Sequence, residues 1–258
     1  MEAVENLMED ARVGNIDALY ELLRSTPFIL ESFEHVQFMD TLLHIAASEG
    51  CTHFAIEIIS LKPSYTDGLS PLDLALRNGH RETVSRMVQV NPELIRVKGK
   101  RRITPLHYVA QTDDVDLLVE FLLAYPASIE DLTICDDTAV HIAVKNRKEK
   151  SFNVLLGWLQ RTDYSDLLDW KDEAGNTVLH VAASTNQPQV VRRLIKRVYT
   201  LNEVNTEGLT AFDVVLRLPI ESSREIKKVL HKAGVCRASL LPSVYSKAQF
   251  LSSKEYIS

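Results

Sequence analysis

Four histidines recur at one register: His44, His107, His141 and His180 each stand three residues after Thr41, Thr104, Thr138 and Thr177, in the words TLLH, TPLH, TAVH and TVLH. Imidazoles could hold a metal ion or carry a proton. If each belongs to a separate stacked unit, however, equivalent side chains stand on the order of 10 Å apart, the spacing of packed helices, and cannot share an ion bound at ~2.1 Å. Asp73 and Asp213 take the same slot in two further words, SPLD and TAFD, as a polar brace would and a ligand set would not. The histidines are therefore expected to hydrogen-bond neighbouring turns. No HExxH, GxSxG, GxxxxGK[ST], calcium-loop or GxGxxG pattern occurs, and Cys51, Cys135 and Cys236 lie too far apart for a CxxC pair. The expectation is a non-catalytic chain without metal or cofactor, its cysteines reduced.

The elements that must position these residues follow from the spacing of the words. Counted from Thr41, Ser70, Thr104, Thr138, Thr177 and Thr210, the steps are 29, 34, 34, 39 and 33 residues. A hydroxyl residue opens each word, where it can cap free helix N–H groups, and Pro71 and Pro105 follow at the first helical position, where no N–H is needed. Leu43, Leu72, Leu106, Val140, Leu179 and Phe212, each followed three residues later by Ala46, Ala75, Val109, Ala143, Ala182 or Val215, draw a stripe of mostly small apolar residues that permits close helix stacking. A second apolar run closes each unit (54–59, 84–88, 117–123, 152–159, 190–195 and 226–230), and Pro63, Pro92 and Pro126 end three of these outer helices. Gly14, Gly50 and Gly79 fall at inner-helix ends and Gly68, Gly175 and Gly208 in hairpin turns. Later units replace them with Asp113, Arg147 and Asn186, or with Met39, Arg102 and Asp136, so irregular turns are expected at Met39, Arg102 and Arg147. The 39-residue step places its extra residues in a loop around 160–169.

A period near 33 with the word T-P-L-H is that of ankyrin repeats, and Asp172 to Ala183 (DEAGNTVLHVAA) resembles the repeat's consensus at nearly every position. The resemblance implies an all-α ankyrin-repeat solenoid of about seven stacked helix-turn-helix units with short hairpin loops. Residues 1–36 would form a degenerate N-terminal cap, 37–235 about six repeats, and 236–258 a flexible serine-rich tail. It also implies a chain without a deep small-molecule pocket. Partner-facing positions carried over from such arrays are Ser48, Glu49, Arg77, Asn78, Gln111, Thr112, Lys145, Asn146, Ser184 and Thr185 after the inner-helix alanines. At the hairpin tips they are Thr66, Asp67, Lys100, Arg101, Ile103, Asp137, Glu173 and Asn176.

With 258 residues, 45% hydrophobic and 25% charged, the chain can bury a core and is not of disordered composition. The net charge of −6 is concentrated: Met1 to Asp40 hold nine acidic and two basic residues, leaving about +1 for the rest, which disfavours broad nucleic-acid binding. Two local basic clusters, Lys98/Lys100/Arg101/Arg102 and Lys145/Arg147/Lys148/Lys150, are expected to come together on neighbouring units, as a concave-side dock for an acidic partner or lipid head group, as a nuclear-import signal, or as solvated hairpin tips. A third, Arg192/Arg193/Lys196/Arg197, decorates an outer helix and reads as solvated.

The phrases GLSPLDLA (68–75), Lys98 to His107 and VNTEGLTAFD (204–213) resemble plant ankyrin-repeat proteins of the "bian da" immune-signalling type. That resemblance implies a protein-protein scaffold in intracellular defence signalling. Its partner would be another protein, with an acidic surface or in a membrane receptor complex, at the cytoplasm or the cytoplasmic face of the plasma membrane. Such proteins continue into several C-terminal membrane spans of which these residues hold no counterpart, so membrane contact is expected only through such a region or a partner. The alternative is the cytosolic regulatory domain of a transporter or channel-like protein.

Overall fold

The computed structural model describes residues 2–26, 42–61 and 70–241. Thr41, Met39, Pro63, Thr66, Asp67 and Gly68 lie outside them, as do the boundary expected at 36/37 and the tail beyond Leu241.

Fourteen α-helices and no strand are present among the described residues, in seven consecutive pairs. They are α1 (Glu2–Val13) and α2 (Ile16–Ser25), α3 (Leu42–Glu49) and α4 (Thr52–Leu61), α5 (Pro71–Arg77) and α6 (Arg81–Val90), α7 (Pro105–Thr112) and α8 (Val115–Ala124), α9 (Ala139–Lys145) and α10 (Glu149–Leu159), α11 (Val178–Ser184) and α12 (Pro188–Leu194), and α13 (Ala211–Leu216) and α14 (Ile220–Lys232). Odd-numbered inner helices stack in sequence from α1 to α13, and each packs on the outer helix that follows it. The all-α solenoid of about seven units is the observed fold.

The inner helices are six to eight residues long from α3 onward, too short to persist alone, so packing and caps must hold them. Leu43, Leu72, Leu106, Val140 and Leu179, with Ala46, Ala75, Val109, Ala143, Ala182 and Val215, are all buried; only Phe212, in the last unit, is half-exposed. Thr104, Thr138, Thr177 and Thr210 keep extended backbone at the N-cap, where each side chain accepts from the backbone N–H three residues on. Asp113, Arg147 and Asn186 take the left-handed turn that Gly14, Gly50 and Gly79 make in earlier units, and Arg102 and Asp136 the one that Gly175 and Gly208 make in hairpins. At Gly175 the requirement is steric as well, because a Cβ would lie 2.7 Å from the Thr206 nitrogen.

Two details differ from expectation, and a third, the insertion of the long step, falls where it was expected. Pro92 and Pro126 do not simply stop their helices; each opens a short 3-10 turn, Pro92–Arg96 and Pro126–Glu130, whose Leu94, Ile95 and Ile129 extend the core. The inserted residues of the long step form turns between α10 and a third such turn, Ser165–Asp169. Residues 236–241 are docked rather than free: Cys236 N donates to Asn202 Oδ1 at 2.9 Å, Thr210 Oγ1 to the Cys236 carbonyl at 2.7 Å, and Ala238 N to Asp213 Oδ2 at 2.8 Å. The segment after α14 thus takes the place on α13 that a following hairpin takes on other inner helices, and a tail beginning at 236 is corrected.

Candidate interaction surface

In three units the histidine joins its own helix cap to the next hairpin. His107 Nδ1 accepts from Thr104 N at 3.2 Å, and its Nε2–H donates to the Asp137 carbonyl at 3.2 Å. His141 pairs with Thr138 N and the Asn176 carbonyl, and His180 with Thr177 N and the Leu209 carbonyl. Both ring nitrogens are taken up, and an Nδ1 that receives an N–H cannot itself be protonated. Burial accordingly holds all three below the usual histidine range, His107 down to about 4.

The two aspartates of the slot behave oppositely. Burial opposes the charge of Asp213, but the N–H groups of Ala238 and Thr210 and the Thr210 hydroxyl, whose one hydrogen is shared with the Cys236 carbonyl, donate to it and hold its carboxyl below the ordinary value. Asp73 meets no such donors. Its Oδ1 and the Oγ of the preceding cap Ser70 are buried without a hydrogen-bond partner. A methyl on Gly99 would sit 2.5 Å from Asp73 Oδ2 and 3.3 Å from the Ile103 carbonyl, so carboxyl and carbonyl face one small space. Burial pushes Asp73 up to about 7, and Arg77 offsets this only in part. Asp73 therefore departs from the satisfied brace expected of it. In the same seam α5 packs on α7 less closely than other inner helices pack on their neighbours, and a cavity of about 610 Å³ opens there. Tyr108, Thr112, Asp113, Arg81 and Lys150 are among its lining residues. A cleft of this size was not expected of such an array.

Glu49, Arg77, Asn78, Gln111, Thr112, Asn146 and Ser184 are exposed on the inner-helix ends, with Ser48 and Thr185 half-buried. Asn78 Nδ2 donates to the Ser48 carbonyl at 2.8 Å, and the Arg77 guanidinium lies 5.2 Å above the Tyr108 ring, so adjacent units share this strip. Lys100, Arg101 and Glu173 are exposed at hairpin tips, and Ile103 and Asn176 are half-buried there. Asp137 is buried and is corrected from a tip residue to an internal one. It accepts from Lys145 Nζ at 2.5 Å, and the same ammonium reaches Asp172 Oδ2 at 3.1 Å. Burial opposes the Lys145 charge, but the two carboxylates outweigh it and raise its affinity for the proton.

The two basic clusters consequently do not merge. Lys145 turns to Asp137 and Asp172, Arg147 donates to the Thr185 carbonyl at 2.5 Å, and Lys150 lines the cleft beside Arg81 and Asp114. In the third cluster Arg192 pairs with Glu225 at 2.6 Å and Arg193 with Asn153, while Lys196 and Arg197 lie past the end of α12. The tips themselves are joined by backbone: Ile134 N donates to the Arg101 carbonyl, Glu173 N to that of Cys135, and Thr206 N to that of Ala174, at 2.9, 2.9 and 3.1 Å.

Among solved structures, the ankyrin repeat domain of Bcl-3 aligns with a TM-score of 0.62 at 19% identity, over 75% of this chain and 86% of that one. The family of ankyrin repeats in many copies matches residues 159–215. This chain is an ankyrin-repeat protein. Ankyrin repeats mediate binding to other proteins. Among curated ankyrin relatives, the "Ankyrin repeat-containing protein BDA1" of Arabidopsis thaliana is 39% identical over 86% of this chain and 54% of its own length. The "Regulatory protein NPR1" of the same plant is 32% identical over 51% of this chain and 20% of its own length. The chain thus spans about half of the first relative and a fifth of the second. No helix among the described residues is long and apolar enough to cross a membrane.

Sequence reasoning missed Tyr108, Ile134 and the Arg96–Asp131 pair. Tyr108 stands where other units carry Ile, Leu or Val, and that departure within an aligned column was the available signal. Arg96 binds Asp131 from the preceding unit with Nε at 3.0 Å and Nη2 at 2.8 Å, and no local pattern announces a contact 35 residues distant.

Proposed function

We propose that this ankyrin-repeat protein is a non-catalytic scaffold that engages another protein through its inner-helix ends and hairpin tips, in plant defence signalling at the cytoplasmic face of the plasma membrane. The observation that carries the reading is the 39% identity to BDA1 over 86% of the chain, taken with the "bian da" phrases of the sequence. The geometry supports it: Glu49, Arg77, Asn78, Gln111, Thr112, Asn146 and Ser184 are polar and exposed at the C-terminal ends of successive inner helices, and the imidazoles at the opposite ends of three of these helices are consumed by structural hydrogen bonds. Membrane proximity would come from a partner or from a region outside these residues.

The test is comparative affinity capture from plant lysate with the wild-type chain and a Gln111→Arg/Ser184→Arg variant, both positions being exposed and free of core packing. Selective loss of the same proteins by the variant supports the inner-face reading. Identical recovery by both baits refutes it.

A further inference from the structure

Several cations among the described residues are already answered within the fold. Arg81 faces Asp114, Arg96 Asp131, Lys145 two aspartates, Lys171 Glu203, Arg192 Glu225 and Arg217 Glu207. The hairpin entering α7 carries a dense unpaired group: Lys98, Lys100, Arg101 and Arg102 are exposed within five positions and make no ion pair among the described residues. Its backbone is also unlike its neighbours. Arg101 and Arg102 are successive left-handed residues at φ 62° and 56°, where other hairpins use one such residue at Asp136, Gly175 or Gly208. Two arginines held in a conformation that L-residues resist are kept there by the hairpin, and both project from its tip.

Along the same edge the sign reverses. Ladder bonds tie the basic tip to the tip of Ile134 and Asp136, and that one to the tip of Glu173. Asp136 and Glu173 are exposed and make no ion pair among the described residues, and Ile134 stands 57% exposed between them and the basic tip. We propose that this edge is a polarised docking strip for an extended protein segment, with an acidic end on Lys100–Arg102 and a basic end on Asp136 and Glu173. The proposal rests on the protein-interaction reading above and gives it a partner chemistry. A flat anionic membrane is the poorer fit, because it would press the acidic tips against like charge as soon as it met the basic one. With successive units on the order of 10 Å apart, the basic tip and Glu173 are separated by roughly 20 Å, about six residues of extended chain.

The probe is a labelled peptide of roughly four glutamates, about six neutral Gly/Ser residues and roughly three lysines, the spacer set by the reach of extended chain. Fluorescence anisotropy should show it binding the wild-type chain at least tenfold more tightly than a peptide whose lysines are replaced by serine. Lys100→Glu/Arg101→Glu/Arg102→Glu should cost at least tenfold, and Glu173→Lys should abolish only the advantage of the lysine end. Arg102→Gly relieves a left-handed arginine and is expected to raise the melting temperature while weakening the peptide, which separates binding from folding. Peptide binding indifferent to the triple reversal overturns the strip. So does tighter, equally reversal-sensitive binding to phosphatidylserine vesicles, which would make it a membrane contact. If Gln111→Arg/Ser184→Arg loses captured proteins while the peptide results fail, the interaction module stands and only this polarity falls.

Discussion

Replacing Asp73 by asparagine should stabilise the array at about pH 8 and leave it nearly unchanged near pH 4, and the reason lies in what the next hairpin offers. Between 3.8 and about 7 the folded carboxyl retains a proton that the unfolded one has released. The folded state therefore binds more protons, and the contribution of this group to stability falls as pH rises through that window. At 1.36 kcal/mol per pH unit the interval amounts to at most about 4 kcal/mol, and relaxation around Arg77 brings the expectation to about 2–4 kcal/mol. An asparagine in this slot would carry no charge at any pH, and its amide could donate toward the Ile103 carbonyl as the histidines do toward Asp137, Asn176 and Leu209. Urea melts of both proteins at about pH 4.5, 6 and 8 measure the difference, and the histidine contributions, common to both chains, cancel. A mutant-minus-wild-type stability that stays flat with pH would refute the assignment of a buried, poorly solvated carboxyl to this slot.

Other substitutions probe the remaining joints. His141→Ala removes both the cap bond to Thr138 and the link to the Asn176 carbonyl and should cost about 2 kcal/mol at neutral pH by chemical denaturation. Because burial lowers the His141 pKa, its stabilisation is fully present above the unfolded value and is lost as pH falls through the folded one, so the variant should also lose less stability on acidification below about pH 6.5. Leu106→Ala empties a fully buried site and should cost roughly 2–5 kcal/mol in the same assay. Gly175→Ala should destabilise more than Gly208→Ala: both are left-handed, but a Cβ meets the Thr206 nitrogen at 2.7 Å in the first and nothing within 4 Å in the second. Equal melting temperatures for the two would contradict the close approach of the tips.

Helix starts, the small-residue stripe and the seven-unit count were legible because each is written locally, in a hydroxyl residue, a proline or an apolar period. Asp113 and Asn186 at left-handed positions follow from the register of the words alone, whereas Arg102 and Arg147, where irregular turns were expected, take the same left-handed geometry. What was not legible depends on the facing unit. Asp73 and Asp213 read identically, yet one meets a carbonyl and the other three donors. Lys145 reads as a free surface cation, but the aspartates that neutralise it arrive from two hairpins, 8 and 27 residues away. The docked segment 236–241 carries no repeat word, and its only signal was the need of α13 for something to answer its cap.

The cavity between α5 and α7 bears on how load would pass along the array. A stack of units coupled only to nearest neighbours yields first where that coupling is smallest. At three inner-helix junctions a histidine donates into the next hairpin, whereas at this one a carboxyl faces a carbonyl, and toward the C-terminal ends of the same helices a cleft of about 610 Å³ opens. Compliance is thereby concentrated at one joint, and tension between the two ends would part the first three helix pairs from the last four as two stiff blocks. The basic hairpin lies on that joint, so a segment bound across the tips would set the angle between the blocks.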